Sequence, residues 1–186
     1  MVNKKITDLD AISSEADTDL LEIVGSVATT PASYKTSRLS LFNHWATYGE
    51  IYVHNGSTTQ TSIGTSYVAV TGFATNGESS NTTPTVASDK IALTRTGVYR
   101  VTFQVSFSGS PSTTFVFAPH LDGTEIQSCA NQRRMNSGGA TGSCGATGCF
   151  EVTAAGDLDL RVKADDTDKN IVLTYGQLYV ERIKGS

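Results

Sequence analysis

The sequence has no basic stripe, no long apolar run, three histidines and three cysteines, and each shortage removes a class of function. Proteins that hold nucleic acid gather Lys and Arg on one face. Here the first 23 residues set Lys4 and Lys5 against six carboxylates, which accounts for the whole formal charge of −4, and the remaining residues balance 12 basic groups with 12 acidic ones. No stretch approaches the roughly 20 apolar residues that span a bilayer, and no Lys/Arg-rich amphipathic segment suits a membrane surface. The sequence therefore speaks against nucleic-acid binding and membrane insertion. After Lys4 and Lys5 come Ile6, Thr7, Asp8 and Leu9, not the apolar centre of a signal peptide, so the expectation is a chain made in a cytoplasm.

Chemistry is equally scarce. His44, His54 and His120 show neither paired spacing nor a cysteine close by, which leaves zinc unsupported. Cys129, Cys144 and Cys149 make an odd set, so buried free thiols are the default reading. On one strand Cys144 and Cys149 face opposite sides; a Cys129–Cys144 bridge between neighbouring strands stays open as an alternative. Ser143-Cys144-Gly145 lacks a nucleophile elbow, and the carboxylates sit at turns, not as a pair flanking a groove. The expectation is a non-enzyme with no catalytic residue and no cofactor. Asp165, Asp166 and Asp168 form the one metal candidate, a calcium turn of hard oxygen ligands; the plainer reading is a turn in which Asp caps its own backbone. Arg133-Arg134 reads as a solvated pair, with a polyanion or glycan contact as the alternative.

What is present favours sheets. Hydrophobic residues make up 38% and charged residues 17%, and Gly, Thr and Ser fill much of the rest. Gly, Ser and Thr disfavour helix interiors, while Thr, Val, Tyr and Phe fit a pleated surface. From Gly97 to Ser108, Tyr99, Val101, Phe103, Val105 and Phe107 alternate with Arg100, Thr102, Gln104 and Ser106. Leu158, Leu160 and Val162 alternate with Asp159, Arg161 and Lys163, and Phe115 and Phe117 interleave with Val116 and Ala118, as in a strand covered on both faces. Asp122-Gly123 is a two-residue hairpin signal. The pattern predicts strands at 50–54, 65–72, 89–94, 97–108, 113–121, 124–130, 143–153, 157–163 and 171–183, an antiparallel all-β sandwich or jelly roll over 50–186.

Residues 1–49 read differently. Ile6, Leu9 and Ile12 form one apolar cluster and Leu20, Leu21 and Ile23 a second; Thr29 to Ser33 reads as linker, and a short helix is predicted near 39–48 around Leu41, Phe42 and Trp45. Neither cluster is long enough to fold alone. A loose tail and an anchoring arm compete, and the apolar clusters, which need a surface, favour the arm.

The run Leu93-Thr94-Arg95-Thr96-Gly97-Val98-Tyr99-Arg100-Val101-Thr102-Phe103, the turn Leu121-Asp122-Gly123-Thr124, the strand Phe150-Glu151-Val152-Thr153-Ala154-Ala155-Gly156-Asp157 and the closing Tyr175-Gly176-Gln177-Leu178-Tyr179 come in the order of the tumour-necrosis-factor/complement-type jelly roll, which the sequence resembles over about 50–183. That resemblance implies a homotrimer used for attachment or receptor binding. Lys5-Ile6-Thr7-Asp8-Leu9 and Thr18-Asp19-Leu20-Leu21-Glu22-Ile23-Val24 resemble a segment at the start of tailed-phage structural proteins. Together the two resemblances imply a bacteriophage protein on the virion surface. In this reading it is a capsid decoration or short head fibre, held to the major capsid or another virion protein by the arm residues Ile6, Leu9, Ile12, Leu20, Leu21 and Ile23. The alternative is the receptor-binding tip of a tail fibre, with a host-surface glycan as partner. Val172, Leu178 and Val180 are expected in the core; Tyr175 and Tyr179, on the opposite face of the last strand, are then the candidate trimer interface, with cover of that face by the folded-back arm, residues 1–48, as the competing reading.

Overall fold

The structure is a computed structural model that describes residues 20–25, 32–37, 46–136 and 140–185. The chain divides into two units, 1–45 and 46–186. In the first, β1 (Leu20–Gly25) and β2 (Ala32–Ser37) form an antiparallel hairpin with Leu20 opposite Ser37 and Glu22 opposite Lys35. Leu20, Leu21 and Ile23 thus lie on a strand, and the expected linker is strand from Ala32. Ile6, Leu9 and Ile12 lie outside the described residues, as does 39–45 of the predicted helix; its last position, Tyr48, is extended instead.

The second unit is a sandwich. Its strands are β3 (Tyr48–His54), β4 (Thr59–Ile63), β5 (Val68–Ala69), β6 (Thr75–Asn76), β7 (Thr82–Thr85), β8 (Lys90–Leu93), β9 (Gly97–Gly109), β10 (Thr114–Leu121), β11 (Thr124–Glu125), β12 (Asn131–Arg134), β13 (Thr141–Val152), β14 (Gly156–Ala164) and β15 (Lys169–Gly185). Sheet one runs β11-β10-β14-β8-β7, with β12 beside β10 and β5 beside β14. Sheet two runs β13-β9-β15-β3-β6, with β4 beside β15, and every pairing in both sheets is antiparallel. This is the expected all-β antiparallel jelly roll.

Alternation builds the core. Tyr99, Val101, Phe103, Val105 and Phe107 of β9 are buried, and so are Phe115 and Phe117 of β10 and Leu158, Leu160 and Val162 of β14. The sheets meet through aromatic pairs: Phe107 lies 5.0 Å from Phe117 and 5.7 Å from Phe115, centroid to centroid. The β10–β11 hairpin turns on Asp122 (φ 47°) and Gly123 (φ 81°), the two left-handed positions of the primed turn that matches strand twist.

Three departures have local causes. The predicted strand 65–72 keeps ladder geometry only at Val68–Ala69, and 124–130 becomes two strand residues followed by a 3₁₀ turn at Gln127–Cys129. The pattern also missed β4, β6, β7 and β12, which are mostly exposed and carry little apolar signal; β7 even contains Pro84, tolerated because β7 is an edge strand. In β15 a register shift between Leu173 and Tyr175 changes which residues face inward. Ile171 and Leu173 are buried before it, and Leu178 and Val180 after it. Val172, expected in the core, is only half-buried.

Candidate functional site

The outer face of sheet two carries a broad concave surface. Register sets it out as four transverse rows running from β3 across β15 and β9 to β13: His54–Tyr175–Ser106–Ser143, Tyr52–Gln177–Gln104–Gly145, Glu50–Tyr179–Thr102–Thr147 and Tyr48–Glu181–Arg100–Cys149. A trough of about 1230 Å³ lies over the first three rows, and Asn131, Gln132 and Arg133 of β12 form part of its wall.

Four of the chain's seven tyrosines stand on this face, all on β3 and β15. Tyr175 is 45% exposed, donates its hydroxyl proton to Asn55 Oδ1 and meets His54 edge-on at 5.1 Å. Tyr179 is half-buried, and burial, with Glu181 close by, pushes its phenol above the ordinary tyrosine value. Both expected interface tyrosines therefore share the outer face, brought there by the register shift in β15.

The face carries no lysine in its four rows, and its charges are largely compensated within the surface. Arg100 pairs with Glu181 across strands, Gln177 Nε2 donates to Glu50 Oε1, and Thr102 and Thr147 hydroxyls lie 3.0 Å apart. Clustered Tyr side chains with few free charges match the composition of protein–protein contact cores. The β13 end is made of small residues, so its side of the trough is close to bare backbone.

The other sequence candidates disperse. Asp165 Oδ1 accepts from the Thr114 amide at 3.1 Å, while Asp166 accepts from the Thr167 amide and pairs with Lys169 at 2.7 Å. With Asp168 at a left-handed turn position, the three carboxylates serve backbone and lysine instead of converging. Among the described residues no group of three or more His, Cys, Asp or Glu is placed to hold a metal ion, the three carboxylates of the calcium candidate included. Arg133 and Arg134 lie on exposed β12. Cys129 and Cys144 are buried free thiols and Cys149 is exposed, so the Cys129–Cys144 bridge does not form. Burial pushes the thiols of Cys129 and Cys144 up to about 11. His54 joins the trough while His120 is buried on the other sheet, and His44 lies outside the described residues.

No protein-family model matches the chain, and no curated protein matches it either. Solved structures do. The Eiger TNF of S. frugiperda superposes with a TM-score of 0.53 at 14% identity, over 75% of this chain and 95% of that one. The globular domain of the zebrafish complement 1qA protein gives 0.52 at 12% identity, over 75% and 99%. At such identities the likeness is one of fold: an antiparallel jelly roll of the tumour-necrosis-factor/complement type.

Proposed function

We propose that the chain is a homotrimeric, non-enzymatic attachment module on a phage virion, with residues 46–186 as the exposed head and the N-terminal unit as the anchor. One observation carries the trimer: the tyrosine-rich outer face of sheet two, which has few uncompensated charges to desolvate and so suits a second copy of the same chain. The virion role rests on the N-terminal sequence, where the apolar cluster Ile6, Leu9 and Ile12 precedes a hairpin whose first strand carries the second cluster, Leu20, Leu21 and Ile23. A two-stranded hairpin is marginal in water by itself and gains stability against a partner.

Mass photometry of the full chain should give about three times 19.7 kDa; a monomer at micromolar concentration overturns the trimer. Adding full-length protein and residues 46–186 to particles lacking it tests the anchor, because the second unit holds its own core. Full-length protein on the capsid with no binding by the truncation supports the reading. Labelling confined to the tail tip favours the receptor-binding alternative. Equal binding by the truncation places the anchor in the jelly roll. Incubation with host surface polysaccharide should release no oligosaccharide, and turnover lost on changing a single carboxylate overturns the non-enzymatic reading.

A further inference from the structure

On the outer face of sheet one a single side chain ties a connection down across three strands. Tyr67 lies between β4 and β5. Its hydroxyl donates to Glu125 Oε1 of β11 at 2.9 Å, its ring meets His120 of β10 edge-on at 4.6 Å, and Lys163 Nζ of β14 sits 4.3 Å from its centroid. Backbone bonds complete the seam: the Val70 amide donates to Leu160 O, and the Ala164 amide donates to Gly64 O, each at 2.8 Å. Under the strap, His120 is 3% exposed although it stands on the outer face, directly across from Asp159, which is also 3% exposed.

The charges here are balanced, with nothing to spare. Asp159 accepts from Arg161 Nε at 3.0 and 3.1 Å, Glu125 accepts from Tyr67, and Lys163 lies over the tyrosine ring. Two cations thus face two carboxylates, and β5 contributes only Val68 and Ala69. The His120 ring has its Nδ1 3.1 Å from Ala118 O, where the neutral tautomer with a proton on Nδ1 donates. A second ring proton would add a net positive charge to a site closed to water, between Arg161 and a tyrosine that already carries Lys163.

We propose that this cluster is a pH-operated latch: neutral His120 lets Tyr67 close residues 64–71 over sheet one, and protonation of His120 releases them. Burial, the largest influence, pushes the imidazole below its ordinary 6.5; the Ala118 carbonyl opposes it, Arg161 adds to it, and Asp159 and Glu125 oppose it more weakly. The sign follows. The open segment leaves His120 near its ordinary value, so the latch holds fully above pH 6.5 and weakens as pH falls from there to the lower closed-state value. Release uncovers the β14 edge at Arg161 and Val162, which Ala69 and Val68 otherwise pair.

Hydrogen exchange of the full-length protein, corrected for intrinsic rates, reads the latch at the amides of Val68 to Val70. Their opening constant should rise by up to about tenfold per pH unit below 6.5, while amides at the centre of β9 stay protected. His120→Gln should flatten that dependence, and His54→Gln should leave it intact. Should His120→Gln not fold, a ring titration of His120 in the wild-type protein takes its place, with a midpoint below 6.5 at the pH where the rise in exchange levels off. Exchange at Val68 to Val70 that is flat in pH overturns the latch, as does a ring titrating at or above 6.5.

Discussion

The two sheets share one core but finish their outer faces in opposite ways. Sheet one is finished by its own chain: the 64–71 connection runs along the β14 edge, the Tyr67 side chain meets residues of three strands, and even Asp159 and His120 are buried. Sheet two carries tyrosines, amides and small residues over a trough of about 1230 Å³, and Tyr175 is left 45% exposed. An antiparallel sheet normally keeps one face wet. A wet face of charged side chains would need no further account, whereas four tyrosines with few unpaired charges match a contact surface. The comparison separates a face closed from within from one suited to closure by another copy.

The largest expected effect removes what both faces stand on. Phe107 packs against Phe115 and Phe117 between the sheets, so Phe107→Ala should cost about 3–5 kcal/mol, measured by urea unfolding followed by the tyrosine signal. A loss below about 1 kcal/mol would mean that the sheets do not share a close-packed core there.

Tyr179→Asp comes next and strikes sheet two alone. It would place an unpaired carboxylate beside Glu181 at the contact, so trimers should dissociate at concentrations where wild type stays assembled, with the fold intact by circular dichroism. Unchanged mass in photometry would move the interface elsewhere. Tyr67→Phe is the matching change on sheet one. It deletes the hydrogen bond to Glu125 and keeps the ring against His120 and Lys163, so a loss of about 0.5–1.5 kcal/mol is expected with no change in assembly.

How far the sequence foretold this contrast follows from where its signal lies. Alternation along β9 and β14 named the core residues because burial and strand period coincide there. Asp122-Gly123 announced its turn because few other pairs accept two left-handed positions. The exposed strands β4, β7 and β12 left no such trace, since their pairing is carried by backbone groups that every residue possesses. Tyr175 and Tyr179 were found as candidates, but their partners Tyr48, Tyr52, Gln104 and Gln177 depend on register, which no single strand displays. Val172 was misplaced because the shift after Leu173 reverses the alternation midway along β15. The Tyr67 strap was illegible for a related reason: Glu125, His120 and Lys163 lie 53 to 96 positions away along the chain, joined only by the folded sheet.

The smallest expected effect is on reactivity alone, and three thiols read the shared core and the outer face of sheet two at once. Cys129 and Cys144 are buried and their thiols are pushed up to about 11, so at pH 8 only about one in a thousand is thiolate and a water-soluble maleimide should leave both unmodified in the native protein. Cys149 is exposed and stands across from Arg100 in the row that also holds Glu181 and Tyr48, on the face assigned to the trimer. Mass spectrometry of briefly labelled protein should therefore show one modified thiol per chain in Tyr179→Asp and a several-fold slower reaction of that thiol in wild type, where a neighbouring copy covers it. Equal rates would leave the Cys149 row outside the contact and confine the interface to the rows of Tyr175, Gln177 and Tyr179. Labelling of Cys129 or Cys144 at a comparable rate would show that the sandwich opens near β13, a breach of the shared core that the Phe107 result would then have to match.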